Sequence, residues 1–153
     1  LTILALGTPL LHMGQEFGQS KFGLDNTYNI LNVNDFDNET ASSREELVQY
    51  VSDLIAFRKK YDVFSINSIE EIKNSIDCFE HPNGVMEISV KNPKYLYGYK
   101  KIRLLINPTD QPQTFEFDDY YEVKLTAQGL NKNGLIVRNA IVNYCSVLVL
   151  VAK

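Results

Sequence analysis

Carboxylates near the start of the sequence are side chains that could do chemistry, because a pair of acids can hydrolyse a glycosidic bond. Glu16 follows an apolar run, and three aspartates lie in the polar stretch after it: Asp25, Asp35 and Asp37. A loop rich in Asn, Asp and Tyr could offer hydrogen bonds and a stacking ring to a sugar. The same acids could instead cap turns and hydrate a loop, which is the commoner role. The pattern alone leaves both interpretations open.

Other catalytic chemistry has little support in the sequence. His12 is interpreted as a core or wall residue and His81 as an exposed turn residue, since neither lies in a serine-nucleophile or cysteine-protease motif. Cys78 and Cys145 lack C-x-x-C spacing and clustered histidines, so we interpret them as free, buried thiols. No glycine-rich phosphate-binding motif is present. We therefore predict no metal site and no cofactor.

Three alternating tyrosines, Tyr95, Tyr97 and Tyr99, would share one face if they lay on a β-strand. Such a row could form a platform for a sugar, although packing against neighbouring strands is its commoner role. Exposed rings would favour the platform, and buried rings would favour packing.

The composition excludes several classes of protein. The 153 residues are 44% hydrophobic and 22% charged, as in an ordinary folded chain. The apolar run from Leu1 to Met13 is shorter than the roughly 20 residues of a membrane-spanning helix. Residues 1–70 carry 5 basic and 10 acidic side chains, and residues 71–153 carry 10 and 9, so neither part has the basic stripe that nucleic acid requires. Neither a membrane nor nucleic acid is predicted as a partner.

The first 40 residues combine an apolar start with a long polar loop. Residues 1–6 fit the last turns of a buried helix that ends at Gly7, or a buried strand. A second apolar run, Leu10–Met13, precedes polar residues 18–38, and a loop of that length is usually functional or disordered. Because the chain starts without Met or a charged leader, we expect it to begin inside a larger protein.

A helix is predicted after this loop. Ser42 and Ser43 are each followed three residues later by Glu, which makes two overlapping capping boxes, and apolar residues then recur with a period of 3.6. The basic residues 58–60 suit the negative end of the helix dipole. A shorter helix is predicted to begin at Ser68, with Glu71 as its partner in a capping box.

The remainder, residues 74–153, has a period of two and many β-branched and aromatic residues. Residues 75–80 and 85–90 predict a hairpin around the turn His81–Gly84. Further strands are predicted at 100–106, 114–117, 121–125, 135–138 and 146–151. Seven or so short strands with no long helix between them predict an antiparallel β-sandwich.

Several motifs resemble one family. Residues 7–17, with Gly-Thr-Pro and Gly-Gln-Glu-Phe, resemble the last strand and following turn of the (β/α)₈ barrel in the α-amylase superfamily, glycoside hydrolase family 13. The Lys-x-Gly and Asn-Thr-Tyr-Asn motifs of residues 21–29 are similar to the corresponding loop of type I pullulanases, which cut α-1,6 branch points. Residues 54–59 resemble the last barrel helix, and residues 104–117 resemble the C-terminal β-sandwich.

This resemblance implies a mainly β fold class: an antiparallel β-sandwich C-terminal domain preceded by a remnant of the barrel, namely its last strand, loop and helix. The domains would be residues 1–62 and 63–153. The whole protein would be a debranching enzyme for pullulan, glycogen or starch dextrins. The alternative is a non-catalytic, carbohydrate-binding or packing sandwich of an α-1,4-acting or branching enzyme.

The resemblance also indicates which residues would meet the substrate. The family's nucleophile Asp, acid/base Glu and second Asp lie on earlier strands, so no catalytic residue is expected in this chain, which should be inactive alone. The loop after the last strand can still line the cleft that binds the α-glucan, its expected partner. Asn26 corresponds to a loop residue that contacts bound glucan in pullulanases, and Lys21 and Tyr28 flank it.

Two positions depart from the family's pattern. Gly18 and Gln19 stand where Leu-Arg is frequent, and Asn38 stands where an aromatic residue usually closes the loop. Substrate contacts from this loop are therefore expected to differ in detail. Without neighbouring barrel strands to cover Leu10 and Leu11, residues 1 to about 40 are expected to be non-native in a chain that lacks those strands.

Overall fold

The computed structural model describes residues 2–153, which form four α-helices, three 3₁₀ turns and seven β-strands. The helices are α1 (Leu31–Asn34), α2 (Asn38–Ser43), α3 (Glu45–Lys60) and α4 (Ile69–Ser75). The strands are β1 (Ile76–Glu80), β2 (Met86–Val90), β3 (Lys101–Asn107), β4 (Gln113–Thr126), β5 (Gly129–Leu130), β6 (Ile136–Val142) and β7 (Ser146–Ala152). None of these helices has both the length and the apolar character needed to cross a bilayer.

The strands pair antiparallel in the order β1-β2-β3-β7-β4-β5, with β6 added beside β4. The predicted hairpin is confirmed, with Ile76 opposite Val90 and Glu80 opposite Met86. The strands predicted at 114–117 and 121–125 are one strand, β4, whose register shifts between Glu116 and Tyr121. The first part of β4 and β6 form a ribbon, and the end of β4 pairs with β7. The mainly β, antiparallel fold class is therefore confirmed.

The central strands separate two hydrophobic cores. Because successive side chains of a strand point to opposite faces, Val149 and Val151 pack under the helices, whereas Leu148 and Leu150 pack under the ribbon. The ribbon supplies Phe115 and Phe117 to its core, and the helix side receives Leu54 and Phe57 of α3. The β7 strand is buried on both faces, which explains its continuous apolar sequence.

A β-bulge at Lys124 turns the end of β4 toward the helices. Val123 lies opposite Leu150, but Leu125 lies opposite Val149, so β4 has one extra residue at this step. Residues two apart in a regular strand share a face. Here Val123 belongs to the core under the ribbon and Leu125 to the core under the helices.

The buried face of α3 follows the predicted period, but its predicted start is wrong. Ser42 and Ser43 lie inside α2, whose cap is Asp37, since the Asp37 carboxylate accepts a hydrogen bond from the Thr40 N–H at 2.9 Å. The α3 helix begins after Arg44, which makes no side-chain cap. Ser68 caps the shorter helix α4 as predicted, since its hydroxyl accepts from the Glu71 N–H at 3.4 Å. The Glu71 carboxylate accepts from Lys94 and Tyr95, so the reciprocal half of the capping box is not formed.

The N-terminal segment is fastened to α3 by Arg58. Its guanidinium donates hydrogen bonds to four backbone oxygens: those of Ile3 at 2.8 Å, Ala5 at 2.5 Å, Phe64 at 2.6 Å, and Gly7. These oxygens belong to residues 3–7, which precede α3 in the chain, and to Phe64, which follows it. The Arg58 side chain therefore supplies hydrogen bonds to backbone oxygens that have no partner within a helix or strand.

Residues 2–6 are neither the helix end nor the strand expected from the sequence. They contain a 3₁₀ turn, Thr2–Leu4, in which Ile3 and Leu4 are buried as expected. The strand expected at Leu10–Met13 is also absent, and Leu10 is 83% exposed. A strand needs a neighbour to bond its N–H and C=O groups, and none of the described strands pairs with this segment. The expected barrel strand is therefore not formed.

A buried ion pair joins the sheet to the ribbon. Glu87 is 2% exposed and accepts hydrogen bonds from Arg103 Nε at 2.7 Å and Nη2 at 2.6 Å. Its Oε2 also lies 2.9 Å from Nε2 of His81. The Arg103 guanidinium lies over the rings of Phe117 and Tyr121, with its Cζ at 5.0 and 5.5 Å from the ring centres. His81 is thus half-buried in a network, and its predicted exposure is wrong.

Burial raises the pKa of Glu87, but hydrogen bonds from Arg103 and His81 outweigh it, so the pKa lies below its ordinary value of 4.5. Because the pKa is lower in the folded chain than in the unfolded chain, the charged form stabilises the fold. This contribution is complete above the unfolded pKa and is lost as the pH falls through the folded pKa.

Replacing Glu87 by Gln should lower the free energy of unfolding by about 3 kcal/mol at neutral pH, because Arg103 keeps a buried charge without its partner. The difference from the unmodified chain should narrow when urea unfolding is measured below the ordinary Glu pKa of 4.5. The control is Asp77→Asn at the exposed ion pair with Lys91, expected to cost less than about 1 kcal/mol. A difference independent of pH would contradict this account.

Replacing Arg58 by Gln should lower the free energy of unfolding by about 2–3 kcal/mol, because several backbone oxygens lose a charged donor. Lys59→Gln, at an exposed neighbour on the same helix, is the matched control and should change little. Urea denaturation followed by circular dichroism measures both. Equal free energies of unfolding for the two variants would show that the Arg58 hydrogen bonds do not hold the N-terminal segment.

Candidate functional site

The loop predicted to meet substrate is held together by Asn34. Its Nδ2 donates to the carbonyl oxygens of Thr27 and, at 3.0 Å, of Ile30, and its Oδ1 accepts from Thr27 Oγ1 at 2.9 Å. Thr27 is 4% exposed and forms the centre of the loop. The Lys21 ammonium donates to Thr27 Oγ1 at 3.1 Å. Two distant parts of the loop are therefore tied to one buried hydroxyl.

The three predicted site residues surround this centre. Lys21 bonds directly to Thr27, and Asn26 and Tyr28 precede and follow Thr27 in the chain. Tyr28 is 81% exposed, and Asn26 is exposed with a φ of +50°, a left-handed conformation that asparagine adopts more readily than most residues. The loop thus presents an ammonium, an amide and a phenol near one another in the chain. Sequence reasoning missed Thr27 and Asn34, whose role is to hold these groups.

The turn before the loop is anchored by Arg44. Its Nη1 donates to the carbonyl oxygens of Phe17 at 2.9 Å and Gly18 at 3.0 Å. The Phe17 ring is fully buried and meets the ring of Phe36 edge-on, with 5.0 Å between their centres. The start of α3 therefore fixes the turn, and an aromatic contact closes the loop upon it.

A cleft of about 580 Å³ lies between this turn and the loop. Its lining residues are His12, Met13, Gly14, Gln15, Gly18, Gln19, Lys21 and Asn34. Carboxamides and an ammonium can exchange hydrogen bonds with the hydroxyls of a sugar. Of the three predicted site residues, Lys21 is the one in this lining.

Gly14 allows the turn to close against Gln19. Its φ is +89°, and a Cβ at this position would lie 2.6 Å from Oε1 of Gln19. The Gln19 Nε2 donates to the carbonyl of Asp35 at 2.7 Å, whereas its Oε1 is buried without a hydrogen-bond partner among residues 2–153. Any larger residue would therefore strain this turn.

Of the acidic residues in this region, one is a helix cap and two are exposed. Asp37 caps α2, and hydrogen bonds from the hydroxyl and backbone of Thr40 hold the pKa of this carboxyl below its ordinary value. Asp25 and Asp35 are exposed. Within residues 2–153, no group of three or more His, Cys, Asp or Glu is placed to hold a metal ion. The capping interpretation is confirmed for Asp37.

The three tyrosines do not lie on a β-strand, and they differ in exposure: Tyr95 is buried, whereas Tyr97 is 42% exposed. These residues lie in the connection between β2 and β3, where Tyr95 ends a 3₁₀ turn, is 4% exposed and donates its hydroxyl to Glu71 at 2.5 Å. Tyr97 has a φ of +52° and its hydroxyl oxygen accepts from the Asp62 N–H at 2.5 Å. The packing interpretation is confirmed for Tyr95.

The cysteine prediction is only partly right. Cys78 and Cys145 are free, as predicted, but both are exposed. Cys78 lies on β1, the edge strand of the sheet, and Cys145 lies in the turn before β7.

Replacing Asn34 by Ala should loosen the loop, because Thr27 would lose hydrogen bonds to its hydroxyl and carbonyl. Amide hydrogen exchange at residues 27–30 should accelerate about tenfold, while exchange in β3 and β7 stays unchanged. Asn32→Ala, at an exposed position of the same helix, is the control. Unchanged exchange in both variants would show that Asn34 does not order the loop.

Comparison with known proteins shows which proteins share this fold. No protein-family model matches the chain. Solved pullulanases match it over almost its whole length. The pullulanase from Bacillus acidopullulyticus has a TM-score of 0.87 and 25% identity, over 98% of this chain and 19% of its own. The type I pullulanase from Bacillus subtilis str. 168, complexed with maltose, has a TM-score of 0.87 and 22% identity, over 99% of this chain and 22% of its own.

Among curated proteins, the pullulanase of Bacillus subtilis (strain 168) is 33% identical over 79 residues, which are 51% of this chain and 11% of that relative. The chain therefore resembles pullulanases in both sequence and fold, which confirms the resemblance inferred from its motifs. It spans only about a tenth of the curated relative and about a fifth of the solved chains.

Proposed function

We propose that this chain is part of a pullulanase-like glycoside hydrolase that cleaves α-1,6-glucosidic branch linkages in pullulan, glycogen or starch dextrins. The observation that carries the proposal is the match to a pullulanase at a TM-score of 0.87 and 25% identity over 98% of the chain. The pullulanase-like loop motif, whose Lys21 and Thr27 are hydrogen-bonded, supports it independently. Solved pullulanases also include complexes with maltotriose and maltotetraose, which are α-glucans.

The chain divides functionally into residues 1–62, the end of a catalytic barrel, and residues 63–153, a β-sandwich that packs against it. Support comes from the core under the helices, which mixes Leu54 and Phe57 of the first part with Ile102 and Val149 of the second. A shared core of this kind holds the substrate loop at a constant position relative to the sandwich.

In this proposal, the loop contacts the glucan through Asn26, Lys21 and Tyr28. An exposed carboxamide and ammonium donate hydrogen bonds to sugar hydroxyls, and an exposed phenol ring offers a face for a pyranose. Lys21 also lines the cleft of about 580 Å³, which is large enough for a sugar unit. These residues bind and orient the glucan, and they carry no bond-breaking step.

Hydrolysis with retention requires a nucleophilic carboxylate and an acid/base carboxyl about 5–5.5 Å apart. In the proposed enzyme these groups belong to earlier barrel strands, so residues 1–153 alone are inactive. The alternative of a glucan-binding sandwich built on three tyrosines is less favoured, because these residues do not share a strand face and Tyr95 is buried with its hydroxyl hydrogen-bonded to Glu71.

The purified chain should release no reducing ends from pullulan, yet maltotriose should shift the NMR amide signals of residues 21–28 with a millimolar dissociation constant. Asn26→Ala should weaken this binding about fivefold, the value of one net hydrogen bond. Asn139→Ala, on the exposed strand β6, should leave the titration unchanged.

The two arms test different parts of the proposal. Release of reducing ends by residues 1–153 would overturn the assignment of the reacting groups to other parts of the protein. Amide shifts confined to the sandwich, with the loop signals unmoved, would overturn the role of Asn26, Lys21 and Tyr28.

A further inference from the structure

Residues 21–24 form a tight turn with an unusual residue at its centre. The Leu24 N–H donates to the Lys21 carbonyl oxygen at 2.9 Å, which closes the turn. Both central residues have positive φ, +54° at Phe22 and +76° at Gly23. Positive φ at both central positions is the pattern of a type I′ turn, which favours Asn, Asp or Gly there.

Phe22 is unfavourable for this backbone conformation. A bulky side chain at positive φ is a genuine outlier, because its Cβ approaches the backbone oxygen too closely. The Phe22 ring is 82% exposed, so burial does not offset the strain. The hydroxyl of Ser20 accepts a hydrogen bond from the Phe22 N–H at 3.0 Å, which helps to hold the turn. Local stability alone would therefore favour another residue at position 22.

Polar and aromatic side chains lie close to Phe22 in the loop. The preceding residue, Lys21, ties the turn to Thr27, between Asn26 and the 81%-exposed Tyr28. One loop thus exposes two aromatic rings, a carboxamide and an ammonium within eight residues. Rings stack on the apolar faces of a pyranose while polar groups bind its hydroxyls. A purely apolar partner would remove water from the carboxamide and the ammonium without replacing their hydrogen bonds.

We propose that Phe22 is a stacking platform for a glucosyl unit of the α-glucan. This inference rests on the proposed function and adds a fourth residue to the proposed contacts of Asn26, Lys21 and Tyr28. Backbone strain at an exposed residue is a sign of a functional constraint, since selection for stability alone would remove it. Phe22 contributes to affinity and to the orientation of the sugar, and takes no part in bond cleavage.

The test compares Phe22→Asn with Phe22→Tyr in the chain of 153 residues. Asn suits the turn, so Phe22→Asn should melt at the same or a higher temperature, yet bind maltotriose about three- to tenfold more weakly by NMR titration. Phe22→Tyr keeps a ring and should bind within about twofold of the unmodified chain. The control is Tyr120→Asn, at a 62%-exposed ring in the irregular part of β4, which should bind normally.

Each other outcome has a distinct meaning. If the unmodified chain binds and Phe22→Asn binds equally well, the role of Phe22 is overturned and the proposed function stands. If the unmodified chain shows no loop shifts with maltotriose, the glucan role of the whole loop is overturned together with that of Phe22. A lower melting temperature in Phe22→Asn, or weaker binding in Tyr120→Asn as well, would also overturn the platform, because the ring would then act on the fold or non-specifically.

Discussion

Helix α3 and its N-cap residue position two parts of the first 44 residues through charged side chains that donate to backbone oxygens. Arg58, in its last turn, gathers four carbonyls of the N-terminal segment and of the chain after the helix. Arg44, just before its first turn, holds the carbonyls of Phe17 and Gly18. A segment with no strand partner needs other donors for its backbone oxygens, and these two guanidiniums supply them. Since α3 also packs on the sheet, the loop's position depends on the sandwich.

The parts of the fold that depend on local signals were predictable from the sequence. The hairpin of β1 and β2 follows from a turn motif between alternating residues, and α4 follows from its N-cap at Ser68. The strand expected at Leu10–Met13 failed because a strand depends on partners elsewhere in space. The Glu87–Arg103 pair was equally invisible, since it arises from the β2–β3 register, which places Arg103 near a residue 16 positions earlier.

In the candidate site, too, local motifs could be predicted from the sequence but contacts between distant residues could not. Asn26, Lys21 and Tyr28 came from a resemblance of motifs, and the structure places them around one buried hydroxyl. The supporting contacts of Asn34 could not be inferred, because asparagine in a polar loop is ordinary in composition. The strain at Phe22 was also hidden, although the Phe-Gly pair after Lys21 is a weak signal of a turn that requires positive φ.

The bulge at Lys124 bears on how relatives of this chain should be aligned. It gives β4 one residue more than its partner β7, and it divides Val123 and Leu125 between the two cores. A homologue that lacks the extra residue keeps each later side chain in the same core only if the missing residue is the one at the bulge. An alignment gap is therefore better placed at position 124 than in the neighbouring turn, because only there does an insertion or deletion keep both hydrophobic patterns in phase.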